Sequence, residues 1–323
     1  MRNTLFTYPN HSKGGVSAVL RGRAAAERSR MFYALFDYER NGDGIYDSFP
    51  NIEARVVRKD RQDSYLAYIL STFYVDEASI LSNPSMVDKL SSVEDVFLRY
   101  EFHSSDINIV RAELDRLQAG RVDEFVVPSA YMANRLLSLG NPFVRRRLAV
   151  ETNLVDSNVF KANGPSDFFD NDARDAVGGF VPLMWVGRFD KGKGYSYLLR
   201  CLSILPEYYV SYVVVSLEED ATRTIDFLSE AASLGVADRV RVVPNVDPKI
   251  LATMYRSARK HEGFLISTSL LESFGYSVAE ALACHLRVRA FDLPVWSEHP
   301  AFADYGIAVD PGDIHSLAAS LVN

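Results

Sequence analysis

The sequence predicts an α/β protein built from two doubly wound parallel-sheet domains facing a cleft. Three observations carry that prediction. Short apolar runs alternate with helically spaced apolar residues along the whole 323-residue chain, a turn-rich acidic stretch interrupts the alternation near its middle, and glycine-bearing loops follow several of the apolar runs.

In the first half, Leu5–Tyr8, Met31–Phe36, Ala78–Leu81, Val96–Phe102 and Glu124–Val127 read as strands. Helical spacing fills Ser17–Ser29, Ile107–Gln118 and Ala130–Leu139 between them. In the second half, Pro182–Gly187, Tyr208–Ser216, Arg239–Val243, Gly263–Thr268 and Arg287–Phe291 read as strands. Tyr195–Leu205, Ala221–Leu234, Lys249–Arg259 and Ser277–His285 read as helices. Asn163-Gly164-Pro165-Ser166, a run of Asp and Asn, and Gly178-Gly179 have the composition of a linker. The expected division is therefore a domain over 1–160, a linker over 161–178 and a domain over 179–323.

A formal net charge of −7 excludes the basic field of a dedicated nucleic-acid binder. Basic clusters at Arg21, Arg23, Arg28 and Arg30, and at Arg145, Arg146 and Arg147, are read either as solvated helix faces or as a patch for an anionic acceptor or membrane headgroups. Cys201 and Cys284 form no C-x-x-C pair, so neither a zinc site nor a disulfide framework is expected, and a reducing cytoplasm fits. No apolar run has the length of a membrane span, and Met1-Arg2-Asn3-Thr4-Leu5-Phe6 lacks the apolar core of a signal peptide.

Four loops carry candidate chemistry. Glu272 and Glu280 stand either side of Ser273-Phe274-Gly275-Tyr276, after an apolar run and at the start of a helix, where free backbone N–H groups suit an anion and carboxylates suit sugar hydroxyls. Ser277-x-x-Glu280 also reads as a capping box. Gly187-Arg188-Phe189-Asp190-Lys191-Gly192-Lys193-Gly194 sets two cations, Arg188 and Lys193, in a strand-to-helix loop able to neutralise a diphosphate without a metal ion. Gly14 and Gly15 allow close backbone approach to a ligand after the first strand. His103 follows the run Val96–Phe102 at its carboxyl end, whereas the other histidines show no pairing pattern. Trp185 and Trp296 read as packing residues.

Taken in this order, these elements resemble the retaining glycosyltransferases of family 4. Val127-Pro128-Ser129 and Asn153-Leu154-Val155-Asp156 before Phe160 add to the resemblance. It implies the GT-B fold, two Rossmann-like domains, and transfer of a sugar from a UDP- or GDP-sugar to an acceptor hydroxyl with retention. It implies that Arg188 and Lys193 hold the donor diphosphate, that Glu272 lies by the donor sugar, and that Phe274, Gly275 and Tyr276 offer amides to sugar or phosphate. It further implies that Glu280 bonds the ribose, that His103 lies near the reacting sugar, and that Gly14 and Gly15 close over phosphate. No cofactor and no metal are expected. The expected acceptor is a glycan, a polymer, a lipid-linked glycan or a protein, with peripheral contact at the inner membrane face as a further expectation. A nucleotide-sugar epimerase or hydrolase of the same fold, and a non-catalytic scaffold, are the alternatives. One departure stands out. The family has Ala-Cys-Gly-x-Pro after its second glutamate, where this chain has Ala283-Cys284-His285-Leu286-Arg287, so the following turn is expected to differ.

Overall fold

The structure is a computed structural model that describes residues 3–117, 121–170, 179–215 and 221–322. The chain divides into two units, Met1–Asp156 and Ser157–Asn323.

The first unit runs β1 (Asn3–Ser12), α1 (Gly15–Ala26), β2 (Met31–Arg40), β3 (Ile52–Val56), α2 (Gln62–Thr72), β4 (Glu77–Leu81), α3 (Pro84–Leu90), β5 (Phe97–Glu101), α4 (Ile107–Arg116), β6 (Glu124–Val127), α5 (Ala130–Leu137), α6 (Pro142–Arg147) and β7 (Leu148–Val150). Its seven strands lie in the order β3-β2-β1-β4-β5-β6-β7, all parallel. The second unit runs β8 (Val181–Val186), α7 (Tyr195–Ile204), β9 (Tyr209–Val215), α8 (Ala221–Ser233), β10 (Val240–Pro244), α9 (Pro248–Lys260), β11 (Phe264–Ser267), α10 (Tyr276–Ala283), β12 (Arg287–Phe291), α11 (Phe302–Tyr305), β13 (Gly306–Val309) and α12 (Ile314–Val322). Its six strands follow β10-β9-β8-β11-β12-β13, again parallel throughout.

Both orders reverse direction once, between β1 and β4 and between β8 and β11. Loops at the carboxyl ends of strands flanking such a reversal are where ligands bind in open α/β sheets. The inner strands are buried on both faces, as in β9, where every residue is buried. Helices on both sides of a parallel sheet require this, so Val, Ile and Leu run without polar alternation. The polar ends of the helices are satisfied locally. Asp106 accepts from the Asn108 N–H at the start of α4, and Asp247 does the same for Lys249 at the start of α9, both at 2.8 Å. Ser129, from the Val127-Pro128-Ser129 motif, caps α5 by accepting from the Met132 N–H.

β3, β7 and β13, which all sit at sheet edges, are strands that the apolar runs of the sequence do not indicate. The same holds for α2, α3, α6, α11 and α12, which the helical spacing does not indicate. Of the stretch expected as a linker, residues 171–178 lie outside the described residues. Its first part is bound to the second unit. The Arg256 guanidinium on α9 donates to the carbonyls of Pro165 at 2.8 Å and Lys161 at 3.4 Å, and Arg259 donates to that of Ala162 at 2.8 Å. In the first basic cluster Arg21 and Arg23 are buried, Arg30 is half-buried and Arg28 is exposed. In the second, Arg145 and Arg146 are exposed while Arg147 donates to the Val122 carbonyl. Both thiols are buried and free. Burial pushes Cys201 up to about 12 and Cys284 up to about 11, so neither supplies a thiolate at neutral pH. Among the described residues, no helix is long and apolar enough to cross a membrane.

Candidate active site

In the second unit the Gly187–Gly194 loop follows β8 and the Thr268–Gly275 loop follows β11, the two strands at the reversal. A short chain of polar contacts joins the loops. The buried Trp185 indole N–H donates to Thr268 Oγ1 at 3.0 Å, and that hydroxyl donates to the Lys193 carbonyl at 3.1 Å. The Leu270 N–H donates to the Gly192 carbonyl at 2.8 Å. Asp190 Oδ1 accepts from the Lys193 N–H at 2.9 Å and shapes the turn from within. Gly194, at φ +64, is the N-cap of α7, and a side chain there would run into the Thr268 carbonyl oxygen.

This stitching brings Lys193 Nζ to 2.5 Å from Glu272 Oε1. Glu272 is only 9% exposed. Arg188 behaves differently: its side chain is 61% exposed and pairs with Asp190 at 3.1 Å. Lys193 and Glu272 are thus brought together, while Arg188 stands at the outer side of the same loop.

Gly275, at φ +82, is the N-cap of α10, with Tyr276 and Ser277 as its first residues. The helix therefore begins before Ser277, and the capping-box reading of Ser277 and Glu280 gives way to a glycine cap. A Cβ at Gly275 would lie 2.5 Å from Trp296 Cζ3. Trp296 is fixed in turn, its indole N–H donating to the Phe291 carbonyl at 2.7 Å. His299 Nε2 contacts the Phe274 carbonyl at 2.7 Å, and its ring packs edge-on against Phe274. Phe274 is buried and Tyr276 packs edge-on against it. Glu280 is buried one turn into α10.

His299 is a residue that sequence reasoning missed. It lies far along the chain from Glu272, and a lone histidine carries no spacing signal. Burial lowers its pKa below the ordinary 6.5, although the Phe274 carbonyl and the charges of Glu298 and Glu272 pull upward. As pH falls below 6.5, an unfolded chain takes up a proton that the folded chain refuses. The stability this group contributes is complete above that pH and is lost as pH falls toward the lowered native value. His299→Gln keeps a donor for the Phe274 carbonyl without titrating. Melting curves between about pH 7.5 and about pH 5.5 are expected to fall less steeply for this variant than for the wild type.

The C-terminus of α10 closes without a glycine. The His285 N–H donates to the Leu282 carbonyl at 2.9 Å and the Leu286 N–H to the Ala281 carbonyl at 3.0 Å, the paired bonds of a Schellman motif. His285 takes the left-handed conformation itself, at φ +58, and stacks on Tyr305.

In the first unit, Gly14 is the N-cap of α1 and Gly15 its first residue. Gly14 has an ordinary extended φ of −88, and an added Cβ would meet only Ser12 Oγ at 3.5 Å. The fold does not demand glycine there. His103 follows β5, with Nε2 3.0 Å from Glu101 Oε2. Elsewhere in this unit, His11, Glu39 and Asp43 bring ligand-type atoms within 4.8 Å of one another, with both carboxylates exposed.

The two reversals and the paired loops define the class first: the fold is GT-B. Three solved structures share it over nearly the whole chain. Anabaena Alr3699/HepE in complex with UDP-glucose is 17% identical, with a TM-score of 0.79 over 99% of this chain and 88% of that one. The sucrose-phosphate synthase of Thermosynechococcus elongatus is 16% identical, with a TM-score of 0.77 over 100% and 89%. A glycosyltransferase from Rickettsia africae ESF-5 is 16% identical, with a TM-score of 0.75 over 99% and 87%. In sequence, residues 180–322 match the profile of the glycosyl transferases group 1. Lys193, Glu272 and Gly275 all fall inside the matched stretch. Curated protein sequences give no match to the chain.

Proposed function

We propose that this chain is a retaining hexosyltransferase. It moves a sugar from a nucleotide-diphosphate donor to an acceptor hydroxyl in the synthesis of a glycan, an envelope polymer or a glycoconjugate. The observation that carries the reading is the Lys193–Glu272 contact of 2.5 Å, held between two stitched loops beside the glycine-capped start of α10. A cation next to free helix-start N–H groups suits a diphosphate, and a buried carboxylate beside them suits a sugar hydroxyl.

Charge builds on the leaving diphosphate in the transition state. Lys193, Arg188 and the amides of Phe274, Gly275 and Tyr276 meet it, and preorganised donors of this kind supply the largest single catalytic contribution in many enzymes. Glu272 orients the donor sugar and Glu280 bonds the ribose. His103 supports the reacting sugar, and Gly14 with Gly15 approaches the phosphates. A phosphate oxygen of the leaving group takes the acceptor proton, so the scheme needs no protein base, cofactor or metal. The UDP-glucose held by Anabaena HepE favours UDP over GDP as the first donor to try. A reducing cytoplasm is the proposed setting. Exposed Phe143, Arg145 and Arg146 on α6 support contact with an anionic acceptor or a membrane face.

A thermal-shift screen of UDP- and GDP-sugars tests the reading, since a ligand bound only by the folded state raises Tm. One nucleotide-sugar is expected to stabilise the protein and to be consumed only when an acceptor is supplied. Turnover of donor alone would instead mark an epimerase or hydrolase, and no shift with any donor would mark a scaffold.

A further inference from the structure

The first unit carries a buried ionic cluster that ends on His103. Glu101, at the carboxyl end of β5, is wholly buried. Arg23 grips it with two parallel bonds, Nη1 to Oε1 and Nη2 to Oε2, each 2.8 Å. The Ser79 hydroxyl accepts from Arg23 Nη1 at 3.0 Å and donates to Glu101 Oε1. His103 Nε2 meets the second oxygen, Oε2, at 3.0 Å. Arg23 Nη2 also reaches Glu151 Oε1 at 3.0 Å.

Burial opposes the charge on Glu101, but Arg23 and His103 outweigh it and hold the carboxyl well below the usual range. An ionised carboxylate offers only lone pairs, so the hydrogen in the contact with His103 belongs to Nε2. The ring is thereby fixed in one tautomer. A buried ion pair is weak evidence for stability, because desolvation offsets its Coulomb attraction and apolar replacements are often as stable. Its geometric effect is better defined. Arg23 lies on α1, about 12 Å along the helix from Gly15. One carboxylate thus ties the helix that starts at the Gly14-Gly15 loop to the strand that presents His103.

We propose that Glu101 is a positioning residue: it holds His103 as the Nε2–H tautomer in a fixed orientation and, through Arg23, locks α1 to the same point. The consequence for sugar transfer rests on the role given to His103 above; the tautomer does not.

The test is the double variant Arg23→Met/Glu101→Met, which removes both charges and leaves neither buried alone. Two-dimensional 15N–1H NMR of the ring, assigned with His103→Gln, reports the tautomer. The wild type is expected to show Nε2–H alone, and the double variant a mixture. With the donor and acceptor found by the screen, kcat is expected to fall by about tenfold or more while the donor KM changes little, since a wrongly held histidine is costly even when all groups are present. Ser79→Ala, which removes one bond to Glu101 without stranding a charge, is expected to shift the tautomer balance and lower kcat in the same sense. It carries the test if the double variant does not fold. A wild-type ring protonated at Nδ1, or an unchanged kcat in a folded double variant, overturns the proposal. Absence of any sugar transfer by the wild type would sink the functional reading, while the NMR result would still decide the positioning of His103.

Discussion

Lys193→Ala is expected to cut sugar transfer by about a hundredfold or more, the usual effect of losing one donor aimed at transition-state charge, roughly 3 kcal/mol. Two consequences of the 2.5 Å contact with Glu272 make the loss large. The cation nearest the helix start disappears, and a carboxylate only 9% exposed is left without that partner. The stranded carboxylate would repel an incoming diphosphate, so donor binding and chemistry both suffer. Glu272→Ala is expected to fall comparably, through the donor sugar. Because the two side chains touch, the double variant should cost less than the sum of the singles. Initial rates and melting temperatures on all four proteins check this. Wild-type rates in a folded Lys193→Ala protein would remove Lys193 from the site.

Gly194→Ala is expected to destabilise the second unit strongly. The residue holds φ +64, where an L side chain costs roughly 1–2 kcal/mol. The added Cβ would also meet a backbone oxygen, that of Thr268, which cannot swing aside as a side chain can. The two loops must then part, and the Thr268 hydroxyl loses its hold on the Lys193 carbonyl. We expect a total loss of roughly 2–4 kcal/mol, within the range of strained glycine sites, and a fall in Tm of roughly 5–15 °C. Activity should fall further than stability, because Lys193 leaves Glu272. Gly192→Ala is the control. Its φ is not positive, and its Cβ would meet Asp190 Oδ1 at 3.3 Å, a side-chain atom that can give way. Equal melting temperatures for the two variants would show that the loops are not braced through Gly194.

What the sequence makes legible follows from where each signal is written. The inner strands announce themselves because burial on both faces demands unbroken apolar runs, as in Tyr209–Val215. Edge strands such as Ile52–Val56 and Gly306–Val309 are half exposed and short, so their composition resembles that of loops. The loops around Lys193 and Glu272 were legible as separate motifs, but their meeting was not. It depends on Thr268 and Trp185 bridging a long sequence separation with single side-chain bonds. The same holds for Arg23 and Glu101, which are 78 positions apart and meet only because α1 packs beside β5's carboxyl end. Gly275 was visible as a glycine, but its positive φ, and hence its replacement of Ser277 as the cap, is a property of backbone torsion that residue spacing does not encode.

The close of α10 has a wider implication. His285 adopts a torsion normally reserved for glycine and still makes both terminating bonds, with its ring resting on Tyr305. A helix can therefore stop in this way without glycine where an aromatic neighbour supports the residue that turns it.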